Sequence, residues 1–400
     1  MVTADLKSNL HDHAHDLPSE IIFFHILPRL PAKSVICFMS VSKQWQALLR
    51  SQIFKNMHLR HHTMITNHQK LILFSKQANF YTMDCEAPEE GLITACRDPP
   101  FQTHRDTTHL LSSFHGLVCI GVGVKASWDC YTHLDLIIWN PLTREHTTLS
   151  KPVDYYKECY KIKGGAFSLY YTSSDDDYKL LRVTNDNDCC YVYSLKHDSW
   201  RKVLVDGRRN IPNLFFQAWH PSIWLNEKLY FLTTLGIKFR FPATAYLISR
   251  FDTNTEKLIE IEPPPCIKDN PWAGIWSFSV LRGSVHLCLR YNYERPFPQE
   301  IQMWRMDGDA GGWTKVLTYK HVPLEAVLHD PMQMMRNGYW IMYFRIQAYF
   351  CKLDPDKYIQ GDNMTMKIIS SPPQVTFTTP FPKATYIETF VSPNRYINNL

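Results

Sequence analysis

Histidines alternate at positions 11, 13 and 15 in HDHAHD, a spacing that can grip a metal ion. They precede the first helical pattern, in a stretch (residues 1–15) that reads as a disordered, solvated leader. A second candidate is the acidic run Asp175–Asp176–Asp177 in SSDDDYK. Calcium loops need ligands spaced around a turn, so three adjacent acids fit an exposed turn better. Eleven cysteines are scattered, with one adjacent pair (Cys189–Cys190) and no C-x-x-C, which argues against a disulfide framework or a structural zinc site and for reduced thiols. The Arg60–His62 run sits at a module junction. No G-x-S-x-G, phosphate-binding loop or H-E-x-x-H occurs. The expectation is a protein without catalytic residues, resident metal or cofactor.

The elements that would position any site fall into two kinds. The 400 residues exceed one ordinary domain, and 45% apolar with 20% charged residues suits a chain that buries a core. The net charge of +5 is dispersed, giving no basic patch for nucleic acid and no reason to invoke a membrane. No secretion signal or long apolar run is evident, so the expected location is cytoplasmic or nuclear.

Residues 16–62 carry helical patterning. Pro18 and Glu20 suit a first turn, and Ile21, Ile22, Ile26, Leu27 and Leu30 follow on one face until Pro28 and Pro31 interrupt it. Pro31 can open a second helix with Val35, Ile36 and Phe38. Ser42 can cap a third with Trp45, Leu48 and Leu49, and Phe54, Met57 and Leu59 continue a shorter turn. Three short helices cannot bury so many apolar side chains among themselves, so the module reads as one half of an interface. A DNA-reading helix-turn-helix, suggested by Arg29, Lys33, Lys43 and Arg50, lacks a basic recognition helix.

The stretch LPSEIIFFHILPRLPAKSVICFMSVSKQWQALL resembles an F-box, with its L-P-x-E, I-L-x-x-L-P and V-S-K-x-W elements. The trailing Phe54, His58 and Leu59 resemble the F-x-x-x-H-L run that follows it in plant proteins. Pro28 and Met39 depart from the common residues without removing an anchor. The resemblance implies docking to a Skp1-like subunit of a cullin–RING ubiquitin ligase through Leu17, Pro18, Glu20, Ile21, Leu27, Leu30, Pro31, Val35, Val41 and Trp45.

Beyond residue 67, strand runs rich in Val, Ile, Tyr, Phe and Trp alternate with polar turns, in a unit that recurs about every 50 positions. Asn140, Asp198, Asp252, Asp307 and Asp354 lie at or near those turns. Four strands per unit predict propeller blades, five explicit and a sixth assembled from three early strands plus the last. Two stacked sandwiches are the alternative, although they need no regular repeat. Fold class is thus α+β multidomain: a small all-α three-helix module, then an all-β six-bladed propeller over 68–393 closed by the C-terminal strand.

SFHGLVCIG, LIIWNPLTREHTTL, VYSLKHDSWRKV and ISRFDTNTEKLIEIEPPP resemble the F-box-associated domain of a large plant group, mainly over residues 107–320. In that group the domain is taken to recruit the protein to be ubiquitinated. The loops opposite the Asx turns are rich in aromatic and Arg residues, the composition of binding hot spots. Trp128, Tyr155, Arg208, Arg209, Phe239, Arg240, Trp272, Tyr293 and Arg295 are the predicted target-binding residues; several could instead be plugs under long loops. The expected role is a substrate adaptor with an unknown target protein, and the alternative is a carbohydrate- or small-ligand-binding propeller in a non-ligase assembly.

Overall fold

The structure is a computed structural model. It describes residues 17–64, 70–75, 77–84, 93–104, 106–127, 130–150, 165–184, 189–204, 214–219, 222–237, 240–269, 274–281, 283–291, 299–308, 311–322, 330–334, 339–344, 347–352, 365–368 and 383–396. The histidines at 11, 13 and 15 and the turn residue Asp354 lie outside them. Two compact units divide the chain. One comprises residues 1–67 with Glu388–Val391, and the other comprises 68–387 with 392–400.

The helical unit opens with one stretch that changes pitch twice. It is α-helical over Ser19–Ile21 (α1), π-helical over Ile22–Ile26 and 3-10 over Leu27–Arg29. Pro28 lacks the N–H that a regular helix would use there. The ladder widens before it, with the Leu27 N–H reaching Ile22 O, and tightens after it. Ala32–Phe38 (α2) and Lys43–Arg50 (α3) follow, and the Ser42 hydroxyl accepts the Trp45 N–H at 3.1 Å as the sequence predicts.

The expected short turn after α3 is in fact the longest helix among the described residues, Gln52–Met64 (α4). Ser51 caps it by accepting the Phe54 N–H at 3.2 Å. Phe54, His58 and His62, spaced by four, then share one buried face. Imidazoles in an inward stripe do not register as an apolar period, which is why the three-helix expectation fell short.

The second unit is a β-propeller-type array of antiparallel sheets. Among the described residues six sheets are present. The first joins Lys70–Phe74, Phe80–Asp84 and Ile93–Ala95 to the late strand Lys383–Tyr386, which pairs with Lys70–Leu73. The next five are meanders spanning Thr108–Thr148, Gly165–Leu204, Leu214–Ile261, Gly274–Val322 and Asp330–Ile368. In four of the six, the register of the first strand slips at a bulge: Leu110/Ser112, Phe216/Ala218, Ile275/Ser277 and Pro331/Gln333. Such a bulge bends and twists a strand locally.

The polar repeat in the sequence has a geometric cause. Asn140 Oδ1 accepts the Leu142 and Thr143 N–H groups at 2.9 and 3.3 Å, and Asp252 Oδ1 accepts those of Asn254 and Thr255 at 3.1 and 2.9 Å. Four residues after each lies a left-handed backbone position, Arg144 and Glu256. In the third sheet the capping residue is Ser194, whose hydroxyl accepts the His197 N–H at 3.1 Å; Asp198 holds the left-handed position instead. In the fifth sheet Asp307 occupies the equivalent start, and Gly311, with φ +81°, the left-handed position.

Neighbouring sheets are joined by side chains at repeated positions. The Trp200 indole donates to Ser150 O at 2.7 Å, and the Trp313 indole to Glu262 O at 2.8 Å. Each bridges the last strand of one meander to the chain just past the last strand of the preceding one. On the first strands, the Ser113 hydroxyl donates to Thr385 O, Ser112 Oγ accepts the Leu169 N–H at 2.9 Å, and Ser168 pairs with Ser222 at 2.6 Å. Apolar cores lie between sheets, for example around Phe74, Phe80 and Trp139, and around Tyr170, Phe231 and Phe251.

Candidate partner-docking surface

The helical unit has an interior. Phe23, Leu27, Ala32, Val35, Leu49 and Phe54 are buried. The Phe23 ring meets those of Trp45 and Phe54 edge-on, with centroids 6.2 and 6.1 Å apart. His58 and His62 stack at 4.1 Å, and the Nε2 of each lies 3.1 Å from Leu30 O, the carbonyl left over where the 3-10 turn gives way to Pro31. Burial, and then the neighbouring His62, pushes the His58 imidazole down to about 3.

Around that interior lies an apolar exterior. Leu17, Ile21, Phe24, Ile26, Ile36, Phe38, Val41, Leu48 and Ile53 are all exposed. Among the residues expected to contact a partner, Leu17 (58% exposed), Val41 (62%) and Ile21 face outward, and so do Pro18, Glu20 and Pro31. Leu30 and Trp45 are half-buried. Leu27 and Val35 are a correction. They are 2% and 0% exposed, so they hold the unit's own core and cannot touch a partner without its rearrangement. Phe24, Ile36, Phe38 and Ile53 are exposed too, although they are not among the expected contacts. Phe24 follows a helical period that the π-turn shifts, whereas Ile53 (70% exposed) sits on α4, which the sequence does not foretell.

Of the predicted target-binding residues, Arg240 falls among the described residues. Trp128, Tyr155, Arg208, Arg209, Phe239, Trp272, Tyr293 and Arg295 lie outside the described residues. Arg240 opens the strand Arg240–Asp252, where its backbone pairs with Ile237 at a register shift.

The acidic run resolves into three separate structural jobs. Asp175 pairs with Lys179, and Asp176 accepts both Arg395 Nη2 (2.8 Å) and the Tyr171 hydroxyl (2.6 Å). Asp177 is fully buried, not in an exposed turn as expected. It accepts the Ser194 hydroxyl at 2.6 Å and the Lys196 N–H at 3.0 Å. Burial raises the Asp177 carboxyl above its ordinary range against the pull of these donors.

A small helical unit with an apolar exterior, followed in the chain by repeated four-stranded meanders, defines a protein built from a helical module and a β-propeller-type unit. The family model of the F-box-associated β-propeller domain matches residues 64–392, and that of the F-box domain matches residues 15–57. The chain belongs to the F-box-associated β-propeller family of F-box proteins. Relatives in Arabidopsis thaliana include F-box protein CPR1, 24% identical over 76% of this chain and 72% of its own length. Another is F-box protein ETP1, 24% identical over 78% of this chain and 75% of its own. No helix among the described residues is long and apolar enough to cross a membrane.

Proposed function

We propose that the protein is the substrate-recognition adaptor of a Skp1–cullin–F-box ubiquitin ligase, its helical unit docking a Skp1-like subunit and its propeller holding the target. One observation carries the reading. An F-box whose outward residues are leucine, isoleucine, phenylalanine and valine has a surface that helices of another subunit can cover. Burying one such side chain contributes roughly 1.5–3 kcal/mol, so a handful suffices for tight association. Leu17, Pro18, Glu20, Ile21, Pro31 and Val41 are the exposed contacts, with Leu30 and Trp45 at the margin and Phe24, Ile36 and Ile53 added to them.

The same reading takes the six sheets as six blades of one ring, closed by the strand Lys383–Tyr386; its pairing with Lys70–Leu73 supports this. Closure removes exposed sheet edges, and the expected modules are then 16–62 and 68–393. Trp128, Tyr155, Arg208, Arg209, Phe239, Arg240, Trp272, Tyr293 and Arg295 form the proposed target face. The adaptor performs no chemistry and works by proximity, in the cytoplasm or nucleus.

The decisive experiment is co-purification of the full chain with a Skp1-like protein. Replacing Leu17, Ile21 and Val41 together by Asp should weaken binding by a factor of about 100 or more while leaving circular dichroism unchanged. Undiminished capture by that variant refutes the docking role.

A further inference from the structure

The chain returns to the helical unit at its far end. Glu388–Val391 belongs to that unit, whereas Ile387 before it and Ser392 after it belong to the propeller. Thr389, Phe390 and Val391 are buried, at 0%, 3% and 7% exposure. The Phe390 ring lies 5.0 Å from His58 and 6.5 Å from Phe54, residues one turn apart on α4. Glu388 pairs with Lys33, in the first turn of α2, at 3.6 Å. Five residues further on, a second anchor sits in the propeller. Arg395 Nη2 meets both carboxylate oxygens of Asp176 at 2.8 and 3.0 Å. The Tyr396 hydroxyl donates to Asp176 O at 2.7 Å and accepts the Tyr178 N–H at 3.2 Å.

We propose that Glu388–Tyr396 is a two-ended clip, and that the helical unit is complete only when this C-terminal segment supplies Phe390 to its core. A unit of about 50 residues has little interior of its own, so one added buried aromatic is a large share of it. Arg395 and Tyr396 hold the segment on the side of the turn between Thr172 and Asp177, so that Phe390 need not be ordered afresh each time α4 closes. A docking module at one end of the sequence is then conditional on an intact segment some 330 residues away, and removing that segment disarms docking without touching the F-box motif.

The test uses amide hydrogen exchange on the full chain, which needs no partner and is therefore independent of the adaptor reading. In Phe390→Ala, exchange across Gln52–Met64 should accelerate roughly 10-fold or more, with the strand Leu117–Ser127 unchanged. The double variant Arg395→Ala/Tyr396→Phe should accelerate the same helix by about 3-fold. Unaltered protection of Gln52–Met64 in Phe390→Ala overturns the proposal, as does equal acceleration in Leu117–Ser127. If Phe390→Ala does not fold, Phe390→Leu, which keeps most of the apolar volume, decides by the same two readings. Unaltered exchange in the double variant removes the second anchor.

Discussion

The helical unit and the propeller treat apolar surface in opposite ways. Of the eleven large apolar side chains exposed among the described residues, nine fall between Leu17 and Ile53; the propeller contributes Ile259 and Val316. Among the described residues, propeller strands bury Val, Leu, Ile and aromatic residues in cores between sheets. The helical unit fills a small interior with Phe23, Leu27, Val35, Leu49 and Phe54, and has more apolar residues than that interior can take. That excess is the feature on which the proposed docking role rests. The difference also separates what mutations do. Under the proposed docking role, outward apolar changes in the first unit should read out on binding.

Core truncation offers the largest effect. Phe54→Ala and Phe231→Ala each remove a fully buried ring and should destabilise by about 3–5 kcal/mol. A small unit holds only about 5 kcal/mol or less, so Phe54→Ala should abolish protection of α4, while the propeller carrying Phe231→Ala stays folded. Exchange protection read peptide by peptide checks both, and a propeller that melts as readily as the helices breaks the contrast.

Acid should act next. His58 titrates at about 3 in the folded unit and near 6.5 when unfolded, so below 6.5 the unfolded chain binds the extra proton. The stability it contributes is full above pH 6.5 and is lost as pH falls toward 3, by about 1.4 kcal/mol per unit, or about 2 kcal/mol by pH 5. Burial likewise lowers His115, in the propeller, to about 3. The same loss weighs more on the smaller unit, so α4 should open first in an acid titration followed by exchange. His58→Gln should flatten that early transition.

The smallest effect concerns a cap. Ser42→Ala deletes the hydroxyl that accepts the Trp45 N–H and should destabilise the helical unit by about 1 kcal/mol, measured as a shift of its own unfolding midpoint. An unshifted midpoint would mean that the cap is replaced by water.

Much of the helical module is legible because its signals are local. Pro18, Pro31 and Ser42 mark helix starts by lacking or accepting a particular hydrogen bond. Helix α4 escaped because two of its three inward residues are histidines, which become interior only by sharing the Leu30 carbonyl 28 and 32 residues away. The F-box resemblance implies partner contacts at Leu27 and Val35, which the fold turns inward. A motif lists which residue types recur, not which side of a pitch-changing helix each one faces. In the propeller, the polar residue at each turn was visible, but its role in the third sheet passes from Asp198 to Ser194, since either residue type can occupy either place.

Sequence alone determined that this chain is a short helical block followed by repeated β-units, because periodicity, proline and turn chemistry act over a few residues. It also determined that the helical block has surplus apolar side chains, since composition outruns what so few residues can enclose. Only the tertiary structure decided which of those side chains are surplus, where the acidic run spends its charges, and that Phe390 joins a core begun at Phe23. Those are contacts between residues tens to hundreds of positions apart, and no local pattern encodes a partner that distant.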